Sequence, residues 1–228
     1  MKTDEKCCLV TEKMHIKNVI WDWNGTMLDD VEYAVDIMNG ILDKYRLPLI
    51  DIQQYRDIFD FPVRDYYVKL GFDFSKLSFE EVGMEFINAF YANSRGCRLR
   101  QGCASTIREL HARGYRQWLL SAAETGAITR LLEHFELLDY FDKVIGIDNH
   151  FAAGKIELGR KWLKSSGINP ATVIMIGDTV HDFEVTRQMN IPVILLADGH
   201  NSRSRLEKCG RQVINHLEQL IPYLDKEN

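Results

Sequence analysis

The sequence predicts an α/β fold, a Rossmann-like parallel sheet core carrying an inserted all-helical cap. Two apolar, β-favouring runs far apart in the chain, residues 18–21 and 173–177, each end in an acidic turn. After Gly102, strand-like and helix-like segments alternate, the pattern of a parallel sheet covered on both faces. Between residue 30 and about residue 99 no β-run stands out, and apolar residues recur instead at helical steps. The helical block therefore interrupts one core. Residues 1–29 and 100–228 are assigned to the core and 30–99 to the cap.

A first buried strand is expected over residues 16–21. A helix follows over 30–46, where Val31, Ala34, Val35, Met38, Ile41, Leu42 and Tyr45 share a face, and Pro48 stops it. Residues 53–70 and 78–93 read as further helices, the second opened by Ser78 with Glu81 three positions on, a capping box. Aromatic side chains here, among them Tyr55, Phe59, Phe61, Tyr66 and Phe90, are expected to form the cap's own core. Beyond Gly102 come a helix over 105–113 closed by Gly114 and a strand over 116–120 ending at Ser121. A helix at 127–135, a strand at 143–147 and a helix at 155–166 closed by Gly167 continue the alternation. A strand at 172–176, a helix at 180–190, a strand at 193–196 and a short helix at 203–208 follow. A strand at 212–214 and a helix at 216–220 complete the series.

The 228 residues suit one large domain or a core with a smaller inserted module. A net charge of −5 and a pI near 5.8 argue against a nucleic-acid partner. No apolar stretch approaches the ~20 residues needed to span a bilayer. Residues 1–13 mix Lys, Asp and Glu without the apolar centre of a signal peptide. Five cysteines (Cys7, Cys8, Cys97, Cys103 and Cys209) are an odd number without a Cys-x-x-Cys pair. Neither a zinc knuckle nor a disulfide framework is indicated, and the cytoplasm is the expected compartment. A monomer or homodimer without membrane contact is expected.

Residues 18–30 deliver Asp22 to the end of the first strand, after which Gly25 breaks it and Thr26, Asp29 and Asp30 follow. Far downstream, Ile176-Gly177-Asp178-Thr179 repeats the pattern, with Asp182 four residues beyond Asp178. Carboxylates collect at strand ends in α/β sheets because ligands sit at that edge. An unpaired charge directly after an apolar run is costly, so two acidic strand ends point to a divalent-cation site. Singly, other residues have plainer readings. Ser121 suits a strand-end turn, Lys155 a solvated first turn, and Asp182 a helix start favoured by the dipole. His15, His111, His134, His150, His181, His200 and His216 show no ligand spacing and read as structural or surface residues. Arg203, Arg205, Lys208 and Arg211 read as a solvated helix face.

With these residues in place, the chain resembles the haloacid dehalogenase-like hydrolase superfamily, in its phosphoglycolate-phosphatase-like branch with a helical cap after the first strand. The resemblance covers nearly the whole chain after residue 15. It implies a Mg²⁺-dependent hydrolase of a small phosphorylated metabolite, with phosphoglycolate the default substrate. Asp22 would be the nucleophile that forms an aspartyl-phosphate. Asp178 would hold Mg²⁺ together with Asp22 and the backbone carbonyl of Asn24, while Asp182 holds the metal's water shell or the lysine. Thr26, the Ser121 hydroxyl and the Ala122 N–H would take phosphate oxygens, and Lys155 would neutralise nucleophile and phosphoryl group. Elementary electrostatics agrees, because crowded carboxylates raise one another's pKa values unless cations compensate.

One position departs from the family pattern. Its phosphatases carry a second aspartate two residues after the nucleophile, where this chain has Asn24. A carboxamide donates a hydrogen bond but cannot shuttle a proton, and loss of a general acid–base removes ~10²–10⁴ in rate. The expected activity is therefore a slow or specialised phosphatase, using either a good leaving group, such as an aryl or acyl phosphate supplies, or another acid, Glu124 or a cap residue. Two alternatives remain open: a phosphonatase-like carbon–phosphorus hydrolase using Lys44, Lys69 or Lys76 as a Schiff base, and a low-activity phosphate-binding regulatory protein. In the cap, Arg56, Arg64 and Lys69 are the candidates to meet an anionic leaving group.

Overall fold

The computed structural model describes residues 15–147 and 154–227; Cys7, Cys8, His150 and Ala153 lie outside them. The chain opens with β1 (Asn18–Trp21) and the two-residue β2 (Leu28–Asp29). Four helices follow: α1 (Val31–Lys44), α2 (Ile52–Ile58), α3 (Val63–Lys69) and α4 (Phe79–Asn93). Then β3 (Arg98–Leu99) returns to pair antiparallel with β2. Next come α5 (Cys103–Ala112), β4 (Arg116–Glu124), α6 (Thr125–His134) and β5 (Lys143–Ile147). They lead into α7 (Lys155–Ser166), β6 (Val173–Gly177), α8 (Val180–Met189) and β7 (Val193–Leu196). The described chain finishes with α9 (Arg203–Glu207), β8 (Gln212–Ile214) and α10 (Leu220–Glu227).

The α/β reading holds. Six strands form one sheet in the order β5-β4-β1-β6-β7-β8, and every neighbouring pair is parallel. Strand residues alternate between two apolar layers, as a side-chain period of two requires. Val19, Trp21, Leu119, Ile174 and Ile176 face one layer; Ile20, Trp118, Leu120, Val173 and Met175 face the other. Helices α1–α4 surround a separate cluster built from Val35, Met38, Leu42, Tyr55, Tyr66 and Phe72.

Several elements differ from the expectation. The helix expected over 53–70 is two, α2 and α3, because Pro62 lacks an N–H and sits at the N-cap of the second. Ser78 accepts the Glu81 N–H at 3.1 Å, but its own hydroxyl turns to Glu80. Strands β2 and β3 were not expected, since two residues carry no periodic signal. They pair Leu28 with Leu99 and Asp29 with Arg98, and the Arg100 N–H donates to the Met27 carbonyl at 2.8 Å. The final helix begins at Leu220 after a 3₁₀ turn, Leu217–Gln219, and so lies beyond its expected position. Arg205 does not join a solvated face: it donates to the Phe59 and Arg56 carbonyls and pairs with Asp60 at 3.0 Å. Cys97, Cys103 and Cys209 are free. Among the described residues, no helix is long and apolar enough to cross a membrane.

Helix α7 lies close against the sheet because Gly159 offers no side chain. A Cβ there would sit 2.6 Å from Met189 Sδ and 2.9 Å from Leu120 Cδ2. Gly159→Val is therefore expected to lower stability by about 1–3 kcal/mol through overpacking, despite the better helix propensity of valine. A shift of the denaturant midpoint at unchanged slope measures it.

Candidate active site

Strands β1 and β6 lie side by side with Trp21 opposite Ile176, so Asp22 and Asp178 emerge at the same carboxyl edge of the sheet. The Asp22 N–H donates to the Ile176 carbonyl at 2.9 Å, extending the ladder into the loop. Asp182 arrives from the first turn of α8. Carboxylate oxygens of Asp22, Asp178 and Asp182 lie within 4.8 Å of one another, and all three residues are buried. Lys155, at the start of α7 and only 4% exposed, stands 2.5 Å from both Asp22 Oδ1 and Asp182 Oδ1.

These contacts set the protonation preferences. Burial, then the Asp182 and Asp178 charges, push the Asp22 carboxyl well above its ordinary range against the pull of Lys155. Asp178 is also raised, chiefly by burial. Burial opposes the charge of Asp182, yet Lys155 and Thr179 outweigh it and hold this carboxyl below the ordinary range. Burial likewise opposes the Lys155 ammonium, and the Asp182 and Asp22 carboxylates outweigh it and raise its pKa.

Asp182 is saturated. Its Oδ2 accepts from Thr179 Oγ1 at 2.6 Å, Thr179 N at 3.0 Å and Asp178 N at 3.2 Å, while Oδ1 faces Lys155. The geometry makes it a brace for Lys155 and for the turn after β6. Thr26 is fully buried, and its hydroxyl donates to Asp178 Oδ1 at 2.6 Å. It therefore orients a carboxylate. Ser121, 2% exposed, accepts the Ala123 N–H at 3.1 Å, and Ser121, Ala122 and Ala123 line the mouth above Asp22.

The loop after Asp22 is clamped by Asp30. Its Oδ1 accepts the Gly25 N–H at 2.7 Å and its Oδ2 accepts from Asn24 Nδ2 at 2.6 Å. Gly25 has φ +71°, and a side chain there would collide with Asp178 and His200. Asp30 also pairs with His200, whose Nε2 lies 3.4 Å from Oδ1. Across the ring, His200 Nδ1 meets the Tyr55 hydroxyl of α2 at 2.7 Å, and the His200 N–H donates to Asp178 Oδ2 at 2.7 Å. Burial works against the imidazolium, but Asp30 and then Asp178 outweigh it and raise its pKa to about 9.

His200 is thus a buried structural residue, one of the two roles expected for the histidines, and His181 stacks on Phe61 at 4.5 Å. Sequence reasoning missed His200, Tyr55 and the role of Asp30. A signal for His200 was present: Asp198-Gly199-His200-Asn201 follows the apolar run of β7 as the acidic turns follow β1 and β6.

A cavity of about 440 Å³ rises from Asp22, Asn24, Ser121 and Lys155 into the aromatic residues of α2–α4. Asp22 and Asp30 at its floor and Asp178 and Asp182 buried beneath it are four carboxylates in contact with two cations, Lys155 and His200. The unbalanced pair is Asp22 and Asp178. Such an all-oxygen, doubly negative donor set fits a hard divalent cation such as Mg²⁺.

Comparison with known proteins agrees with this geometry. The family described as haloacid dehalogenase-like hydrolase matches residues 19–196. An N-acetylmuramic acid 6-phosphate phosphatase of Pseudomonas aeruginosa is 24% identical over 94% of this chain and 97% of its own. A phosphoglycolate phosphatase of Vibrio parahaemolyticus is 24% identical over 82% and 86%, respectively. The crystal structure of a predicted phosphatase from Clostridium acetobutylicum superposes with a TM-score of 0.79 at 21% identity, covering 92% of this chain and 99% of that one.

The raised pKa of His200 makes its ion pair pH-dependent. The stabilisation is fully present below about pH 6.5, the ordinary histidine value, and is lost as pH rises through about 9. Chemical denaturation of the wild type and His200→Gln across that window is expected to show a stability gap that is widest in acid and narrows above pH 9.

Proposed function

The chain belongs to the haloacid dehalogenase-like hydrolases, and on that premise we propose that it is a phosphatase acting on small phosphate esters through an aspartyl-phosphate at Asp22. The observation that carries this reading is the shared ammonium: Lys155 lies 2.5 Å from Asp22 and from Asp182, and Lys155 and Asp22 both line the cavity beneath the aromatic wall. The phosphatase relatives support the same reaction class. Residues 1–29 and 100–228 form the catalytic core in this proposal, with 30–99 as a cap hinged near Leu28-Asp29 and Arg100-Gln101-Gly102.

In the first step an oxygen of Asp22 attacks phosphorus, and the leaving oxygen departs with its bonding electrons. In the second, water attacks the aspartyl-phosphate, releasing inorganic phosphate and restoring the carboxylate. Lys155 fixes one Asp22 oxygen and offsets charge on the phosphoryl group. Ser121 and the Ala122 N–H receive phosphate oxygens at the mouth above Asp22. Mg²⁺, held by Asp22, Asp178 and the carbonyl of Asn24, would supply further charge neutralisation when bound.

Asn24 cannot act as the acid. Its amide nitrogen is committed to Asp30, an arrangement that suits a carboxamide and would set two carboxylates together if Asn24 were an aspartate. The lysines that a carbon–phosphorus hydrolase would need are engaged elsewhere. Lys44 pairs with Glu85, Lys69 with Asp60 and Lys76 with Asp73, and none lines the cavity.

Asp22→Asn is expected to abolish turnover of every phosphate, and EDTA to do the same reversibly on addition of Mg²⁺. Asn24→Asp is expected to raise alkyl phosphate hydrolysis by at least about tenfold, because the Asp30 charge would raise the pKa of the introduced carboxyl and keep its proton available. Steady-state kinetics on alkyl and acyl phosphates checks both. Unchanged alkyl turnover in folded Asn24→Asp would mean that another group already delivers the proton.

A further inference from the structure

The cavity above Asp22 is unusual for what its walls lack. Its cap side is made mostly by rings and thioethers, with Glu80 and the buried Tyr66 hydroxyl as polar exceptions: Tyr55 and Phe59 stack at 5.1 Å, Phe59 meets Phe61 at 5.6 Å, and Phe86 stacks on Phe90 at 6.1 Å. Met84 and Ile87 of α4 complete that wall without joining either packed apolar layer nearby. Among the described residues no arginine lines the cavity, and the one lysine that does, Lys155, is already shared by two carboxylates. The cap cations expected to meet a second anionic group are engaged elsewhere. Arg56 donates to the Gly199 and Asp198 carbonyls, Arg64 lies over Phe74 and Phe79, and Lys69 pairs with Asp60. A carboxylate such as that of phosphoglycolate would meet mostly rings there, because the His200 imidazolium is already engaged by Asp30 and Tyr55, and burying it so is costly.

We propose that this cavity takes the leaving group of an aryl phosphomonoester, an uncharged aromatic alcohol whose ring lies among the cap aromatics while its phosphate meets Asp22. The volume of about 440 Å³ accommodates a single or fused ring, within the usual range of small-molecule pockets. Ring-on-ring contacts favour an aromatic guest over a sugar, whose hydroxyls would lose their water bonds here. The chemistry at the floor points the same way. A phenol ionises near pH 10, against about 15.7 for water, so its oxygen leaves as a phenolate without a proton from the enzyme. The Asp22–phosphorus bond forms as the phosphorus–aryl oxygen bond breaks, and the departing phenolate takes its proton from solvent. A site with Asn24 where an acid would stand is matched to such a leaving group.

The proposal rests on the phosphatase reading for its reaction, whereas the cavity's preference can be measured without turnover. With the intact protein and Mg²⁺, kcat/KM is compared for 2-naphthyl phosphate, acetyl phosphate and phosphoglycolate, and 2-naphthol binding is followed by calorimetry. The double variant Met84→Gln/Ile87→Gln, which keeps good helix formers on α4, serves as the altered wall. The expected result is at least about tenfold preference for 2-naphthyl phosphate over phosphoglycolate, and saturable binding of 2-naphthol. The double variant is expected to lower the naphthyl-to-acetyl ratio and the naphthol affinity by about tenfold. Turnover of acetyl phosphate with no preference for the naphthyl ester and no binding of naphthol overturns the aryl assignment and leaves the phosphatase reading intact. Binding of naphthol that the double variant weakens, with no phosphate turned over, supports the cavity assignment and overturns the phosphatase reading instead.

Discussion

The ammonium of Lys155, held between Asp22 and Asp182, is the contact on which the rest of the site depends. Bringing carboxylates together out of water costs several kcal/mol per ion unless opposite charge is built in with them. The parallel sheet supplies the convergence, because adjacent β1 and β6 end at one edge. Helix α7 supplies the compensation, and it reaches only because Gly159 lets it lie against Leu120 and Met189. Asp182 closes the arrangement by capping α8 with one oxygen and taking the lysine with the other. A helix cap, a sheet crossover and a close helix approach thus serve one electrostatic requirement.

A second charged chain runs from the loop after Asp22 to α2. Asp30 holds Asn24 and Gly25, His200 faces Asp30, and Tyr55 of α2 faces His200. The boundary around it is polar. Arg56 and Arg205 donate to backbone carbonyls across the two sides, Asp198 on one and Phe59 on the other, while Arg100 ties the Gly25, Ala197 and Asp198 carbonyls together on one side. Hydrogen bonds of this kind contribute about 1 kcal/mol each and exchange readily with water. The interior they enclose is aromatic, which gives the chamber a dry roof over an ionic floor. Asn24 belongs to that design: its amide satisfies Asp30, where a carboxylate would repel it.

The alternation of helix and strand after Gly102, the buried strand leading to Asp22 and the apolar periodicity of α1 were legible because each is a local pattern of residue spacing. The paired acidic turns at Asp22 and Asp178 were legible for the same reason, and they named the floor of the site. The break at Pro62 was written in the chain but outvoted by the surrounding helical pattern, while β2 and β3 are too short to carry a pattern at all. What the sequence by itself determined about this protein is its class, its order of elements and its acidic strand ends. Only the tertiary structure decided that Lys155 is buried and not solvated, that Thr26 orients Asp178, that His200 sits between Asp30 and Tyr55, and that Arg205 reaches Phe59. The physical reason is range: spacing along the chain governs local conformation, whereas a charge's partner more than a hundred residues away depends on strand order and on how closely each helix packs against the sheet.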